Sequence, residues 1–205
     1  MEIDLRVLPA RDTYGWMSSL ITPRPIAWVS TLDAAGRSNL APFSFFNGVT
    51  ASPPTLLFIP VNLHDGSKKD TILNLEEIPE CVVHIVPRAL ADRMNACAAR
   101  LPRGESEFAA FGIAPAPSLW VRPPRVAAAP AAFECRIRQI VPVGDGPLAA
   151  HIVIADILHL HVRDDILGPD GEVDPGRLDA VGRLGGDTYS TTRDRFELKR
   201  PDHTR

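Results

Sequence analysis

The sequence predicts a mainly β chain, an antiparallel barrel with helices on its flank. Three observations lead there. Short apolar runs recur between clusters of Gly, Pro, Asp and Asn, as strands and turns do. Proline is abundant, 20 of 205 residues, against a usual share of roughly 5%, which disfavours long helices and a helical bundle. The longest β candidates, Phe133 to Val143 and Ala149 to Val162, are split by Gly144-Asp145-Gly146-Pro147, a strong hairpin signal.

In chain order, Pro25 to Thr31 reads as a buried strand, and Asp33-Ala34-Ala35-Gly36 turns it back through Ser38 to Ala41. Apolar runs at Phe43 to Ala51 and Leu56 to Val61 predict two more strands. Ser52-Pro53-Pro54 between them must be a turn or an edge. Ile72, Leu75 and Ile78 have helical spacing, so Lys69 to Ile78 is a short helix with Ser67 or Asp70 as N-cap. Cys81 to Val86 is a strand stopped by Pro87, and the alanine-rich Ala89 to Arg100 is a second helix. The proline-rich segment 102–130 reads as a surface excursion with one short helix. After the long hairpin, Asp164 to Arg205 is polar and glycine-bearing. In all, seven or so strands and two or three short helices make up a single domain, residues 1–205.

Charge and composition narrow the functional classes. Lys and Arg number 22 against 25 Asp and Glu, a net charge of -3, which offers no electrostatic case for nucleic acid or an anionic membrane. No apolar run approaches the roughly 18 residues that span a bilayer, and the opening residues lack the pattern of a secretory signal, so a cytoplasmic location is expected. Cys81, Cys97 and Cys135 are odd in number and far apart, which suits a reducing compartment and small buried side chains. Neither a dinucleotide nor a Walker glycine motif occurs, and no GxSxG or HExxH. His159 and His161 share a strand face with His151 upstream, but two imidazoles do not close a metal site, and a structural or solvent-facing role is expected.

Three segments carry more. Asn39 to Pro54 mixes bulky aromatics with small hydroxyl and amide residues, the wall that a flat ligand needs, although a strand with Phe inward and Ser or Asn outward has the same composition. Lys68-Lys69-Asp70-Thr71 opens the predicted helix, where free amides, a hydroxyl and an ammonium suit a phosphate. Arg183-Leu184-Gly185-Gly186-Asp187-Thr188-Tyr189 lets backbone approach a ligand and offers planar groups, and a plain turn would look similar. Together they point to a phosphorylated aromatic cofactor.

Pro23-Arg24-Pro25-Ile26-Ala27-Trp28-Val29-Ser30-Thr31, followed by Asn39-Leu40-Ala41-Pro42-Phe43-Ser44-Phe45-Phe46-Asn47, strongly resembles the flavin reductase-like family, FMN-binding split-barrel proteins of the flavoredoxin type. Ser52-Pro53-Pro54, Lys69-Asp70-Thr71, Phe133-Glu134-Cys135 and Arg183-Leu184-Gly185-Gly186 with Tyr189 extend the likeness, in order, from about residue 12 to 195. The resemblance implies a six-stranded Greek-key antiparallel barrel, a homodimer, and FMN near the subunit interface. It puts Ser44, Phe45, Phe46 and Asn47 along the isoalloxazine, and makes Thr31, Thr50, Lys69 and Thr71 candidates for ribityl and phosphate contacts. Arg183 and Tyr189 would lie close to a flavin, that of the same or of the other subunit. His84 departs from the pattern, standing where Asn is common, and His159-Leu160-His161 is only loosely patterned in relatives.

The activity so implied is hydride transfer from NADH or NADPH to flavin N5, with reduced flavin or electrons passed to an oxygenase or other acceptor. The chemistry would belong to the cofactor, with no acid or base residue indispensable. The alternatives are an FMN-binding electron-transfer protein without its own NAD(P)H reductase activity, and a binding module for another aromatic ligand such as haem, hinted at only by His159 and His161.

Overall fold

In the computed structural model, which describes residues 1–201, the chain begins with a helix the sequence pattern does not announce, α1 (Ala10–Leu20). Strands β1 (Arg24–Pro25), β2 (Ala27–Leu32), β3 (Ser38–Phe43), β4 (Phe46–Ala51) and β5 (Pro54–Phe58) follow. Next come α2 (Asp70–Glu77), β6 (Glu80–Ile85), α3 (Ala91–Ala96) and α4 (Glu107–Ala110). The proline-rich excursion carries the two-residue strands β7 (Pro115–Ala116) and β8 (Arg125–Val126). The hairpin of β9 (Ala131–Val143) and β10 (Ala150–Val162) dominates the second half, before α5 (Pro175–Leu178), β11 (Val181–Arg183) and β12 (Tyr189–Thr191). The last residues of the expected domain, 202–205, lie outside the described residues. No helix among those described is long and apolar enough to cross a membrane.

Seven strands form one antiparallel sheet in the order β3-β2-β6-β9-β10-β5-β4. Its two edges, β3 and β4, are consecutive in the chain and joined only through Ser44 and Phe45. The sheet must therefore curl until its edges meet at that corner, and because they do not pair, the barrel is split there. The run expected as one strand, Phe43 to Ala51, is thus broken at the seam, with Phe43 ending one edge and Phe46 starting the other.

Inside the barrel Ala27, Val29, Phe43, Phe58, Cys81, Val83, Cys135 and Val153 make the core, and Ile72 and Leu75 of α2 plug it. On the outer face of β2 and β3, Trp28 and Leu40 pack with Met94, Cys97, Phe108 and Ile113 from α3, α4 and the loops that follow them. β2 is covered on both faces, which is why it opens on consecutive apolar residues, Ala27 to Val29, rather than on an alternation. The three cysteines are buried and free, and burial pushes the Cys97 thiol up to about 12.

Two buried titratable groups tie the proline-rich excursion to the sheet. His84, fully buried, donates from Nδ1 to Trp28 O at 2.7 Å and accepts at Nε2 from the Val126 amide at 2.9 Å, so its neutral form is fixed, and burial lowers its pKa to about 4. Glu134, also fully buried, accepts the amides of Leu119, Trp120 and Val121 and bonds His161 Nε2 at 2.5 Å. Burial alone would raise that carboxyl, but the His161 bond and the amides outweigh it and hold it below its ordinary range. His161, one of the two histidines considered for metal, is thereby committed to Glu134.

Candidate functional site

The first part of the site is the start of α2. Its N-cap is Lys69, not Ser67 or Asp70, and no side chain caps it. The amides of Ile72 and Leu73 bond back to Lys69 O, leaving those of Asp70 and Thr71 without a partner among the described residues, as the first turn of a helix does. Two side chains dock this turn on the barrel: Asn39 Nδ2 donates to Thr71 Oγ1, and Asn74 Nδ2 to Thr31 Oγ1, both at 3.1 Å. Thr71 keeps its own hydroxyl proton to donate.

A cavity of ≈ 320 Å³ opens in front of this turn, lined by Asn39, Lys68, Lys69, Thr71, Arg100 and Arg103 among others. Three of these cations are neutralised. Lys68 pairs with Glu76 at 2.5 Å, Arg100 with Asp65 at 3.3 Å, and Arg103 with Asp70 at 2.9 Å. Lys69 is different: it has no carboxylate partner among the described residues, and its ammonium stands 5.9 Å from the centre of the Phe43 ring. Burial lowers its pKa. An unpaired, half-buried ammonium beside two free amides and a hydroxyl is a donor set for a phosphate.

The second part is the seam itself. β3 lines the cavity with Asn39, Ala41 and Pro42, and two residues later the chain reaches Ser44. The half-buried Phe45 ring lies edge-on to Tyr14 of α1, with centroids 6.2 Å apart, and its carbonyl accepts from Ile59 N at 2.9 Å. Phe46 is half-buried against Phe58 across the ladder, and Asn47 is exposed, its Oδ1 accepting from Gly48 N at 2.9 Å. This gives an aromatic edge with polar groups along it, next to an anion-binding cavity.

The third part reaches the seam through Arg24, to which the sequence reading gave no role. Its Nε lies 3.4 Å from Ser44 Oγ and its Nη2 donates to Leu184 O at 3.0 Å, so it joins the seam to the glycine segment. Arg183 stacks on Tyr189, 4.5 Å from the ring centre, and bonds its hydroxyl, which in turn donates to Asn95 at 3.0 Å. The glycines have a structural use: a Cβ on Gly185 would come within 2.6 Å of Ser19 Oγ. That close approach is to α1 rather than to open space, unlike the ligand contact the sequence suggested.

Two expected contacts stand apart. Thr31 is fully buried, its hydroxyl engaged by Asn74 under α2, so it braces the cradle from behind. Thr50 is exposed on β4, where its hydroxyl accepts the Ser52 amide at 3.2 Å. Arg24, Arg100 and Arg103 join the candidate site without a role from sequence reasoning, and Asn39 entered only as part of the Asn39 to Pro54 wall. Asn39 and Arg24 also lie inside the family motifs, and for Arg24 that was the only signal.

Comparisons with known proteins bear on the family and the fold. A family model described as flavin reductase like domain matches residues 17–177. An uncharacterised protein of Deinococcus radiodurans is 42% identical over 204 residues, spanning 96% of this chain and 88% of its own length. Among solved structures, nitrilotriacetate monooxygenase component B from Bacillus cereus superposes with a TM-score of 0.91 at 32% identity, over 97% of this chain and 98% of that one. The 2-nitrobenzoate 2-nitroreductase of Pseudomonas fluorescens gives 0.85 at 31% identity, over 99% and 98%. Split-barrel fold, motif order and extent of match lead to one assignment: the chain belongs to the flavin reductase-like family of oxidoreductases.

Proposed function

We propose that the protein is an FMN-dependent NAD(P)H:flavin oxidoreductase. The observation that carries this is Lys69, the unpaired ammonium among three paired cations, facing a cavity with the free amides of Asp70 and Thr71. Lys69, those amides and the Thr71 hydroxyl would hold the cofactor's phosphate, and Ser44 to Asn47 would border its ring. FMN held there would supply the redox chemistry, as the hydride acceptor for NADH or NADPH. The chain's own part is to bind, orient and partly exclude water, with no side chain needed as a proton donor.

A homodimer belongs to this reading. Five of the six β4 positions are exposed, Val49 at 52%, and α1 with the residue after it leaves Tyr14, Met17, Leu20 and Ile21 open at 42% or more. An unpaired edge strand beside an apolar helix face is a surface for a partner. A second copy across it would bring Thr50 into a shared site, and Arg183 and Tyr189 would serve the flavin of either subunit. One structural relative is a monooxygenase component B, which supports an oxygenase or comparable acceptor for the reduced flavin.

The test is a visible spectrum of the purified protein with FMN, followed by anaerobic NADH and then NADPH. Bleaching at catalytic rates is expected with one or both. Tight binding without bleaching would overturn the reductase and leave an electron-transfer flavoprotein reduced by a partner.

A further inference from the structure

Arg24 is 4% exposed, and every partner of its guanidinium is neutral. Nη1 donates to Ser18 O and Ile21 O at 2.5 Å each, Nη2 to Leu184 O, and Nε to Ser44 Oγ. No carboxylate pairs with it among the described residues. Directly opposite it in the β1–β11 ladder stands a second cation, Arg183, whose carboxylate partner, Asp187, is 3.8 Å away and fully exposed. Like charges facing each other destabilise a strand pair, and a buried ion without a counter-ion is costly.

Burial lowers the Arg24 pKa, with nearby Tyr14 opposing and Arg183 reinforcing that shift, but a guanidinium keeps its proton in proteins. The carbonyls at the end of α1 offset part of the charge. What remains sits under the seam, its guanidinium carbon 5.6 Å from the centre of the Phe45 ring. A local rule broken in this way is expected where function requires it.

Hydride transfer brings two electrons and one proton, so the acceptor ring gains one unit of negative charge. We propose that Arg24 is a fixed positive charge that stabilises this negative charge on a flavin ring reduced against the Ser44 to Asn47 corner. The inference rests on the FMN binding proposed above. Arg24 acts through its field rather than as a proton donor, because its nitrogens are already bonded and those bonds hold the charge in place before reduction begins. It is a positioning residue that favours the reduced cofactor over the oxidised one.

The experiment measures the midpoint potential of the FMN-loaded protein by dye equilibration, alongside affinity for oxidised FMN. In Arg24→Met the reduced form should bind about tenfold more weakly relative to the oxidised form, lowering the potential by about 30 mV. Arg24→Lys keeps the charge and should stay near the wild-type potential although it loses hydrogen bonds. A purely structural role would weaken FMN binding in both variants and leave the potential unmoved.

Should Arg24→Met fail to fold, Tyr14→Glu supplies the missing carboxylate from the half-exposed face of α1 without touching Arg24. It should lower the potential relative to Tyr14→Gln. Equal potentials in Arg24→Met and wild type, or in the two Tyr14 variants, overturn the inference alone. Failure of the wild type to bind FMN would overturn the cofactor assignment and this inference with it.

Discussion

Strands β2 and β4 are each six residues long and lie in the same sheet, yet all but one position of β2 is buried and all but one position of β4 is exposed. β2 is paired on both sides, by β3 and β6, and sandwiched between the barrel interior and the α3–α4 layer. β4 is paired only with β5, and its Val49 faces open space. One strand is the centre of the fold. The other leaves one edge open, and under the proposed flavin reading a partner would lie along it, next to the Ser44 to Asn47 corner at its start.

If that contrast is right, the largest effect comes from the centre. Trp28→Ala empties a fully buried site packed edge-on to His84 and should cost about 3–5 kcal/mol of stability, read by urea denaturation. A loss under about 1 kcal/mol would mean that β2 is not the strand on which the fold depends.

A pH titration of stability sharpens the same point. The folded pKa of His84 lies at about 4, below its ordinary 6.5, so the unfolded chain binds the proton more readily. Stability is therefore full above 6.5 and falls as pH drops toward 4, by roughly 3 kcal/mol at most. His84→Asn should flatten most of that slope. Glu134, held below its ordinary range, adds a further loss as pH falls through its folded pKa.

Between centre and edge lies the cavity. Lys69→Ala should weaken FMN binding by about 2 kcal/mol, roughly thirtyfold, and Thr71→Ala by about 1 kcal/mol, measured by flavin fluorescence quenching. Unchanged affinity in both single variants and in the double would remove the phosphate assignment. The smallest effect on the fold belongs to β4: Val49→Lys should change monomer stability by no more than about 0.5 kcal/mol while shifting the sedimentation of a dimer to that of a monomer. Unaltered sedimentation would place the partner elsewhere.

How much was legible differs between elements for physical reasons. The β9–β10 hairpin was plain because its turn residues are glycines, Gly144 and Gly146, which take positive φ at little cost. The break at Ser44 and Phe45 was not, since neither residue is glycine or proline, the surrounding run is aromatic, and the bend is imposed by closure of the barrel. α1 was missed because its side chains Tyr14, Met17 and Leu20 face outward and no side chain caps its start. A helix that buries almost nothing in its own chain gives a weak local signal.

For the site, the sequence by itself determined the inventory: an aromatic and amide-rich segment, a lysine and threonine opening a helix, and a glycine segment with Arg183 and Tyr189. Only the tertiary structure decided which of those groups are free to act. Thr31 is fully buried beneath α2, where it accepts from Asn74, 43 residues away. Thr71 is oriented by Asn39, 32 residues away. Lys68, Arg100 and Arg103 are neutralised while Lys69 is not. A side chain's type is local, but its freedom depends on partners, burial and nearby charge, which distant segments supply once the sheet has closed.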